Sequence, residues 1–307
     1  MPHMQVLLSA YNGEKYIAEQ LDSLLGQTYS RVTVLIRDDG STDGTWNILK
    51  DYSSRFPDRI RLIRGSNRGV IRSFFHLLVH ADAEADYYAF CDQDDVWLPA
   101  KAERAAALLE RENPAVPAMV FTATRIADAD LRPLRVWPDK LAREPSFYNA
   151  LVQNVAVGTT VTLNRAARNL LVRKLPDSDE ILMHDWWAYL VVSAFGRVVF
   201  DPEPTVLYRQ HGGNVVGGEA SWRKILVKKW NSFQRHRGRR LLYKQAKQFY
   251  NLYGEELQGE KKEQLELFLS DRDSLLKRIR FLSATKLYRQ SKLEQALFRF
   301  LILIGHI

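Results

Sequence analysis

Short apolar runs and amphipathic stripes alternate along the first hundred residues of the chain. Four runs are rich in β-branched or aromatic residues and apolar on both faces, as in the buried strands of a parallel sheet: residues 5–10, 32–37, 59–64 and 87–91. Between them, apolar residues recur at helical spacing in 14–25, 45–52 and 70–80. This alternation predicts βαβ units, and therefore an α/β fold with a mostly parallel central sheet covered by helices.

The section from 117 to 209 continues the mixed pattern less regularly. It contains β-like runs and helical patterns: 119–124, 155–163, 197–200 and 205–208 as strands, 165–173 and 185–195 as helices. We expect this section to extend the sheet and to form a second subsite. We place a domain boundary near Gly217 and Gly218. Residues 1–217 are expected to form one domain with halves 1–99 and 100–217, followed by a helical, basic extension over 218–307.

The composition is that of a globular protein, with 46% hydrophobic residues in a chain of 307. A single cysteine, Cys91, rules out a disulfide within the chain and fits a reducing cytoplasm. The N-terminus lacks the basic and apolar pattern of a signal peptide. No window reaches the roughly 18 apolar residues of a membrane-spanning helix. We therefore expect a cytoplasmic protein that does not cross a membrane.

Polar and acidic residues follow three of the predicted strands. The first strand leads into SAYNG, the second into DDGSTDG and the fourth into DQDD, residues 92–95. Ligands of open parallel sheets bind at the carboxyl ends of the strands, so these segments are expected to converge on one site.

The chemistry of these segments is open to two interpretations each. The carboxylates of the DQDD segment suit a hard divalent cation that also binds a diphosphate, but two nearby aspartates alone are common in solvated turns. The segment DDGSTDGT is typical of turns and helix caps. Its Asp39, at a strand end, could instead accept a hydrogen bond from the imide N–H of a uracil or thymine.

Five ordered motifs resemble a known family. LLSAYNGEKYI, IRDDGSTDGT and FCDQDDVWLP are similar to the nucleotide-binding half of glycosyltransferase family 2, which has the GT-A fold. HDWWAYLVVSAFG and VLYRQHGGN are similar to the acceptor half of its bacterial rhamnosyltransferase-like branch. The resemblance covers about residues 4–216.

The resemblance implies a role for individual residues at the donor site. The nucleotide would be held by six residues: Ala10, Tyr11, Asp39, Arg72, Asp92 and Gln93. Arg72 cannot be distinguished from Arg68 by sequence, and Asp92 could contact either the base or the ribose.

For the metal and the sugar, the resemblance implies a second set. Asp94 would bind Mg²⁺ or Mn²⁺, and Asp95 would face the transferred sugar or the acceptor. His211 is interpreted as a ligand of the metal or the diphosphate, although a turn histidine is the alternative. Arg209, nearby, is expected to contact the phosphate, or the sugar or acceptor.

Asp185, in HDWW, matches the general base of the family. From its position alone, at the start of an apolar helix, it would be a cap stabilised by the helix dipole. An inverting transfer needs such a carboxylate to take the proton of the acceptor hydroxyl. Trp186 and Trp187 are either core aromatics or platforms for a sugar ring. We expect the neighbouring His184 to be structural or orienting.

Charge separates the last third of the chain from the rest. Residues 220–307 hold 20 Lys and Arg against 8 Asp and Glu, whereas the remainder holds 24 against 28. Residues 223–247 contain ten basic and no acidic residues, interleaved with aromatics, and 296–304 are almost entirely apolar. An anionic membrane surface is the favoured partner, packing within the chain or in a homodimer is second, and nucleic acid is disfavoured.

The sequence therefore predicts an inverting, metal-dependent glycosyltransferase. The resemblance implies that the donor is a nucleotide-diphospho sugar, with dTDP-L-rhamnose favoured and a UDP-hexose as the alternative. The expected acceptor is a cell-surface glycan or a lipid-linked precursor. Such an acceptor would place the enzyme at the inner face of the plasma membrane. A catalytically inactive nucleotide-sugar scaffold is a further alternative. A dinucleotide-dependent oxidoreductase is disfavoured because SAYNGEKY replaces the GxGxxG motif.

Overall fold

The computed structural model describes residues 1–210 and 241–306, which form two compact units. The first unit comprises Met1–Lys140, Ala156–Leu175 and 183–210. The second comprises Leu141–Val155, Pro176–Leu182 and 241–306. The predicted domain boundary near residue 217, His211 and most of the basic run over 223–247 lie outside the described residues.

A seven-stranded sheet forms the centre of the first unit. Its strands are β1 (Met4–Ala10), β2 (Val32–Asp38), β3 (Ile60–Arg64), β4 (Tyr87–Asp92), β6 (Ala118–Thr122), β9 (Thr162–Asn164) and β10 (Arg197–Asp201). Their order is β10-β6-β9-β4-β1-β2-β3. Only β9 runs antiparallel to its two neighbours in this sheet. The predicted mostly parallel sheet is confirmed.

A smaller sheet lies in the same unit. Its strands, in the order β5-β11-β7-β8, are β5 (Val96–Trp97), β11 (Val206–Arg209), β7 (Thr124–Ala127) and β8 (Pro133–Trp137). β11 pairs with β5, which follows the DQDD segment directly, so the end of β11 lies beside that segment.

Seven helices precede residue 200: α1 (Ile17–Leu25), α2 (Thr45–Arg55), α3 (Val70–His80), α4 (Lys101–Leu109), α5 (Phe147–Ala150), α6 (Arg165–Arg173) and α7 (His184–Phe195). The apolar spacing explains their orientation. In α1, Ile17, Leu21 and Leu24 form the buried stripe, together with Gln20. In α7 nearly every residue is buried, so this helix runs through the interior.

Two sequence predictions in the middle section are wrong in detail. The expected strand over 155–163 is interrupted by a 3₁₀ turn at Gly158–Thr160, and the strand itself is confined to Thr162–Asn164. The turn forms because both the amide and the hydroxyl of Thr160 donate to the Val157 carbonyl, at 2.8 and 2.7 Å. The expected strand over 119–124 is divided at Ala123 between the two sheets.

The second unit is helical around its own aromatic core. It contains α5, α8 (Leu241–Tyr253), α9 (Gly259–Leu269), α10 (Leu275–Ala284) and α11 (Lys292–Leu303). The Phe147 and Phe249 rings lie 5.5 Å apart, and the Asn149 amide donates to the Tyr288 carbonyl at 3.0 Å. Among the described residues, no helix is both long and apolar enough to cross a bilayer.

Candidate functional site

The carboxyl ends of β4, β1 and β2 lie side by side in the central sheet. Ala10 is paired in register with Asp38, and Ser9 with Asp92. The polar segments that follow these strands therefore emerge at one edge, as the sequence predicted for a ligand site.

The segments after β1 and β2 are locked together by side-chain to backbone hydrogen bonds. Asn12, in the left-handed region at φ 48°, accepts from the Thr42 amide at 2.9 Å. The Gly13 amide donates to the Thr45 hydroxyl at 2.7 Å. Asn tolerates this backbone conformation better than most residues. The edge is thus a defined surface before any ligand arrives.

Gln93 connects the segment after β4 to the segment after β1. Its side-chain amide accepts from the Tyr11 N–H at 2.8 Å and donates to the Tyr11 carbonyl at 2.9 Å. Ala10 is buried, and its carbonyl accepts from the Asp39 N–H at 2.8 Å, whereas the Tyr11 side chain is exposed. The predicted nucleotide residues Ala10, Tyr11, Asp39 and Gln93 are therefore contiguous.

Asp39 is buried and accepts four hydrogen bonds. They come from the Arg37 guanidinium at 2.7 Å, from the Arg68 N–H to both oxygens at 3.0 Å and from the Gly69 N–H at 2.9 Å. Recognition of a base by Asp39 stays a prediction. It would require the Arg68 or Gly69 amide to release the carboxylate, because each oxygen already accepts two bonds.

Arg72 lies close in sequence to that anchored segment. It is exposed in the first turn of α3, three residues after Gly69. The side chains of both Arg72 and Arg68 are accessible to a nucleotide, and the backbone amide of Arg68 donates to Asp39.

Asp92 at the end of β4 and Asp95 just after it have pKa values raised by burial and by neighbouring carboxylates. Burial, and then the charges of Asp94 and Asp185, raise the pKa of Asp92 to about 8. Asp95 is fully buried, and burial together with the charges of Asp94 and Asp92 raises the pKa of Asp95 well above its ordinary value. Like charges this close resist ionising together, so the cluster favours the arrival of a cation.

Arg209 holds this acidic segment against the end of β11. Its backbone N–H donates to Asp95 Oδ1 at 3.1 Å, and its Nε donates to the Asp94 carbonyl at 2.8 Å. The other guanidinium nitrogens contact the Ala129 carbonyl at 2.5 Å and the Glu19 carboxylate. Because the buried guanidinium bonds to the acidic segment, to Ala129 and to Glu19 at once, it ties these segments together, and we call this arrangement the Arg209 clasp. A direct contact of Arg209 with phosphate or sugar stays a prediction.

Asp185 and His184 occupy the first turn of α7, where both are buried. A Cβ added at Gly158 would lie 3.4 Å from Asp185 Oδ2 and 3.3 Å from His184 Nε2. The 3₁₀ turn thus approaches these side chains closely because residue 158 has no side chain. This role of Gly158 was missed in the sequence, where its surroundings were interpreted as a strand.

His184 is held by rings. It stacks on Phe74 with ring centroids 3.8 Å apart and meets the edge of Phe90 at 5.0 Å. Burial lowers the pKa of His184 to about 3, so its imidazole is neutral. This supports the expected structural or orienting role of His184 beside Asp185.

The two tryptophans differ in burial. Trp187 is fully buried and is a core aromatic, whereas Trp186 is only partly buried. Trp186 is therefore the tryptophan whose ring a sugar could reach.

The residues at this edge fit a divalent cation. Among the residues that the structure describes, no three His, Cys, Asp or Glu side chains converge as a ready-made metal site. Mg²⁺ needs fewer, because one or two carboxylates plus substrate phosphates complete its shell. Within the described part of the chain, the buried Oδ2 of Asp95 has no hydrogen bond of good geometry, and the nearby Thr159 hydroxyl offsets only part of the rise in the pKa of Asp95. Asp94, partly exposed beside it, is the accessible carboxylate for such an ion.

Comparison with known proteins gives a consistent result. The family model described as glycosyl transferase family 2 matches residues 5–171, more than half of the chain. The dTDP-rhamnosyl transferase RfbG of Shigella flexneri is 29% identical over 235 residues, covering 70% of this chain and 75% of that protein.

Solved structures agree on the fold. Residues 1–349 of S. aureus TarS, in complex with UDP-GlcNAc, superpose with a TM-score of 0.62 at 17% identity, covering 99% of this chain and 81% of that one. The mannosyltransferase PcManGT from Pyrobaculum calidifontis, in complex with GDP-Man and Mn²⁺, gives 0.54 at 17% identity, covering 100% and 81%. In a longer TarS structure, the alignment covers 87% of this chain but only 42% of the TarS chain. The predicted GT-A fold is confirmed.

Proposed function

This chain belongs to glycosyltransferase family 2 and is a glycosyltransferase, and we propose that it is an inverting, metal-dependent enzyme that uses dTDP-L-rhamnose. The acceptor is a hydroxyl of a cell-surface glycan or of a lipid-linked precursor, reached from the cytoplasm. The observation that carries the proposal is the proximity of Asp185 to the strand-end carboxylates, since its charge raises the pKa of Asp92.

Asp185 would act as the general base. Its carboxylate takes the proton of the acceptor hydroxyl while the hydroxyl oxygen attacks the anomeric carbon. The bond between that carbon and the diphosphate oxygen breaks on the opposite face, so the configuration inverts. Gly158 supports this role by leaving space beside Asp185 Oδ2, and His184 supports it by fixing the first turn of α7.

The nucleotide would lie over the segments after β1, β2 and β4. Tyr11 and Arg72 are exposed and would contact the nucleotide directly, while Gln93 and Ala10 position the backbone. Asp39 would bind the base, and Asp92 the base or the ribose. On the sugar side, Asp95 and Trp186 would face the transferred group, and the Arg209 backbone amide would hold Asp95 in place.

Asp94 would hold Mg²⁺ or Mn²⁺, with His211 as a further ligand from outside the described residues. When bound, such an ion offsets the negative charge that develops on the departing diphosphate. The acidic cluster supports this assignment, because the charge of Asp94 lies close enough to Asp92 and Asp95 to raise the pKa of both carboxyls, in addition to burial. The Mn²⁺ of the PcManGT complex is a further support.

The choice of donor rests on relatives. The similarity to a dTDP-rhamnosyl transferase favours dTDP-L-rhamnose. The likeness to TarS, solved with UDP-GlcNAc, makes a UDP-hexose the second candidate. Both bases have an imide N–H that could donate to Asp39.

A panel of nucleotide sugars tests the proposal. Purified protein with Mn²⁺ is melted in the presence of dTDP, UDP and GDP sugars, because a ligand of the folded state raises the melting temperature. We expect dTDP-L-rhamnose to give the largest increase and to release dTDP when acceptor is added. In Asp94→Ala the increase that depends on Mn²⁺ should disappear. If no dTDP or UDP sugar raises the melting temperature, the donor assignment is wrong, and binding without any turnover would indicate an inactive scaffold.

A further inference from the structure

The second unit ends in two helices whose exposed faces are apolar. Among the described residues, sixteen large hydrophobic side chains are exposed, and eight of them lie between residues 275 and 304. Soluble monomers rarely expose contiguous apolar patches of this kind without a function.

In α10 the apolar residues face solvent. Leu275, Leu276 and Ile279 are exposed at spacings of three and four, so they share one side of the helix. Phe281 is the buried residue of α10, and its ring lies 6.5 Å from that of Phe268 in α9. The helix thus packs on the unit mainly through Phe281, and its other apolar stripe is exposed to solvent.

In α11 the apolar residues form two separate stripes, one buried and one exposed. Phe298, Leu301 and Ile302 are buried. The other stripe is exposed and follows helical spacing: Leu293, Leu297 and Phe300, continued by Ile304 just after the helix ends. Packing within the unit therefore accounts for only one of the two stripes.

Arg278 joins the two helices. Its guanidinium donates to the Leu303 carbonyl at the end of α11 at 3.3 Å and to the Arg272 carbonyl before α10 at 2.9 Å. The exposed residues of α10 consequently lie close to the end of the exposed stripe of α11.

The charges around these stripes are mostly basic, although Lys277 of α10 pairs with the exposed Asp273 just before the helix at 2.9 Å. Residues 275–304 contain seven Lys or Arg and one acidic residue, Glu294. Glu294 accepts a hydrogen bond from the Gln153 amide at 2.9 Å. Arg280, Lys292 and Arg299 are exposed on the two helices that carry the apolar stripes.

We propose that the exposed stripes of α10 and α11, called here the apolar face, bind the surface of a bilayer that contains anionic lipid. Apolar side chains would enter the interface while the basic residues meet the headgroups. With 12 residues, α11 is about 18 Å long and lies along the interface, because crossing the core takes about 30 Å. A second copy of the chain is a poorer partner, since two basic faces would repel each other.

The proposal goes beyond the transferase chemistry and does not depend on it. It concerns only where the protein is held, and it would place a glycosyltransferase where a lipid-linked acceptor is found.

Sedimentation with vesicles tests the apolar face on the full chain. Phosphatidylcholine vesicles with and without about 30% phosphatidylglycerol are compared, a fraction chosen to resemble an anionic leaflet. The double variant Leu276→Gln/Leu293→Gln removes one residue from each stripe, where the side chains are 68% and 66% exposed. Leu134→Gln is the matched control, since Leu134 is 63% exposed in β8 of the first unit.

We expect the unmodified chain to sediment with the anionic vesicles and the double variant to partition at least about tenfold more weakly, as expected for two interfacial leucines. Arg280→Gln/Arg299→Gln should weaken binding by roughly fivefold per charge, and high salt should do the same. Leu134→Gln should behave as the unmodified chain. Circular dichroism confirms that each variant is folded.

The proposal is overturned if the chain ignores anionic vesicles, or if the double variant binds them as well as Leu134→Gln does. It is also overturned if light scattering shows a lipid-free dimer that the double variant dissociates, because the apolar face would then be a subunit contact.

Discussion

Replacing Arg209 with lysine distinguishes a clasp from a phosphate-binding residue. Arg209 is 3% exposed, and its side chain contacts the Asp94 and Ala129 carbonyls and Glu19. A lysine keeps the charge but lacks the planar fork, so it can satisfy only part of these partners. The segment that carries Asp94 and Asp95 should loosen.

The loss can be estimated from the hydrogen bonds. Two bonds from a charged donor are worth about 1.5–3 kcal/mol each. Water recovers part of this at Glu19, which is 52% exposed. We therefore expect Arg209→Lys to lower the free energy of unfolding by about 2–4 kcal/mol, which for a unit of this size lowers the melting temperature by roughly 4–16 °C.

Thermal melts followed by circular dichroism, without donor or metal, measure this effect. Arg61→Lys is the control, because Arg61 is exposed on β3 and a surface change there should stay within about 0.5 kcal/mol. If Arg209→Lys melts like Arg61→Lys but binds the donor more weakly, the clasp is refuted and a direct phosphate contact is favoured.

Three further changes test the surroundings of Asp185 and Asp39. Burial lowers the pKa of His184 in the folded state from 6.5 to about 3. The contribution of a neutral His184 to the free energy of unfolding is therefore complete above pH 6.5 and falls by about 1.4 kcal/mol per pH unit as the pH drops toward 3. His184→Phe should make the free energy of unfolding, measured with urea between about pH 6 and 4.5, depend less steeply on pH. Gly158→Ala should lower the turnover number and leave the dissociation constant of the donor unchanged, measured by calorimetry. Asp39→Asn should lower the free energy of unfolding, measured without donor, by about 3 kcal/mol, because the buried Arg37 loses its charged partner.

Much of the fold could be predicted from the first hundred residues. β1, β2 and β4 are continuous apolar runs because both faces of the sheet are covered, and α3 matches its prediction at both ends. The convergence of Tyr11, Asp39 and Asp92 followed from the rule that parallel strands end at one edge.

The rest depends on contacts between distant residues. Nothing in the sequence indicates that Arg209 reaches back to Asp94, or that Gln93 pairs with the Tyr11 backbone. The short strand Val96–Trp97 has no pattern of its own and is extended because β11 pairs with it. Likewise, almost every residue from 296 to 304 is apolar, so the sequence does not indicate which face of this helix is buried. The structure shows that Phe298 is buried and Phe300 exposed.

The measurement that tests the central claim is transfer by Asp185→Asn, compared with the unmodified enzyme at the same concentration of dTDP-L-rhamnose, Mn²⁺ and acceptor. If Asp185 is the general base, kcat/KM should fall by about 10²–10⁴-fold, the range for loss of such a group. The dissociation constant of the donor should change by no more than a few-fold. Full transfer activity in Asp185→Asn would contradict the account.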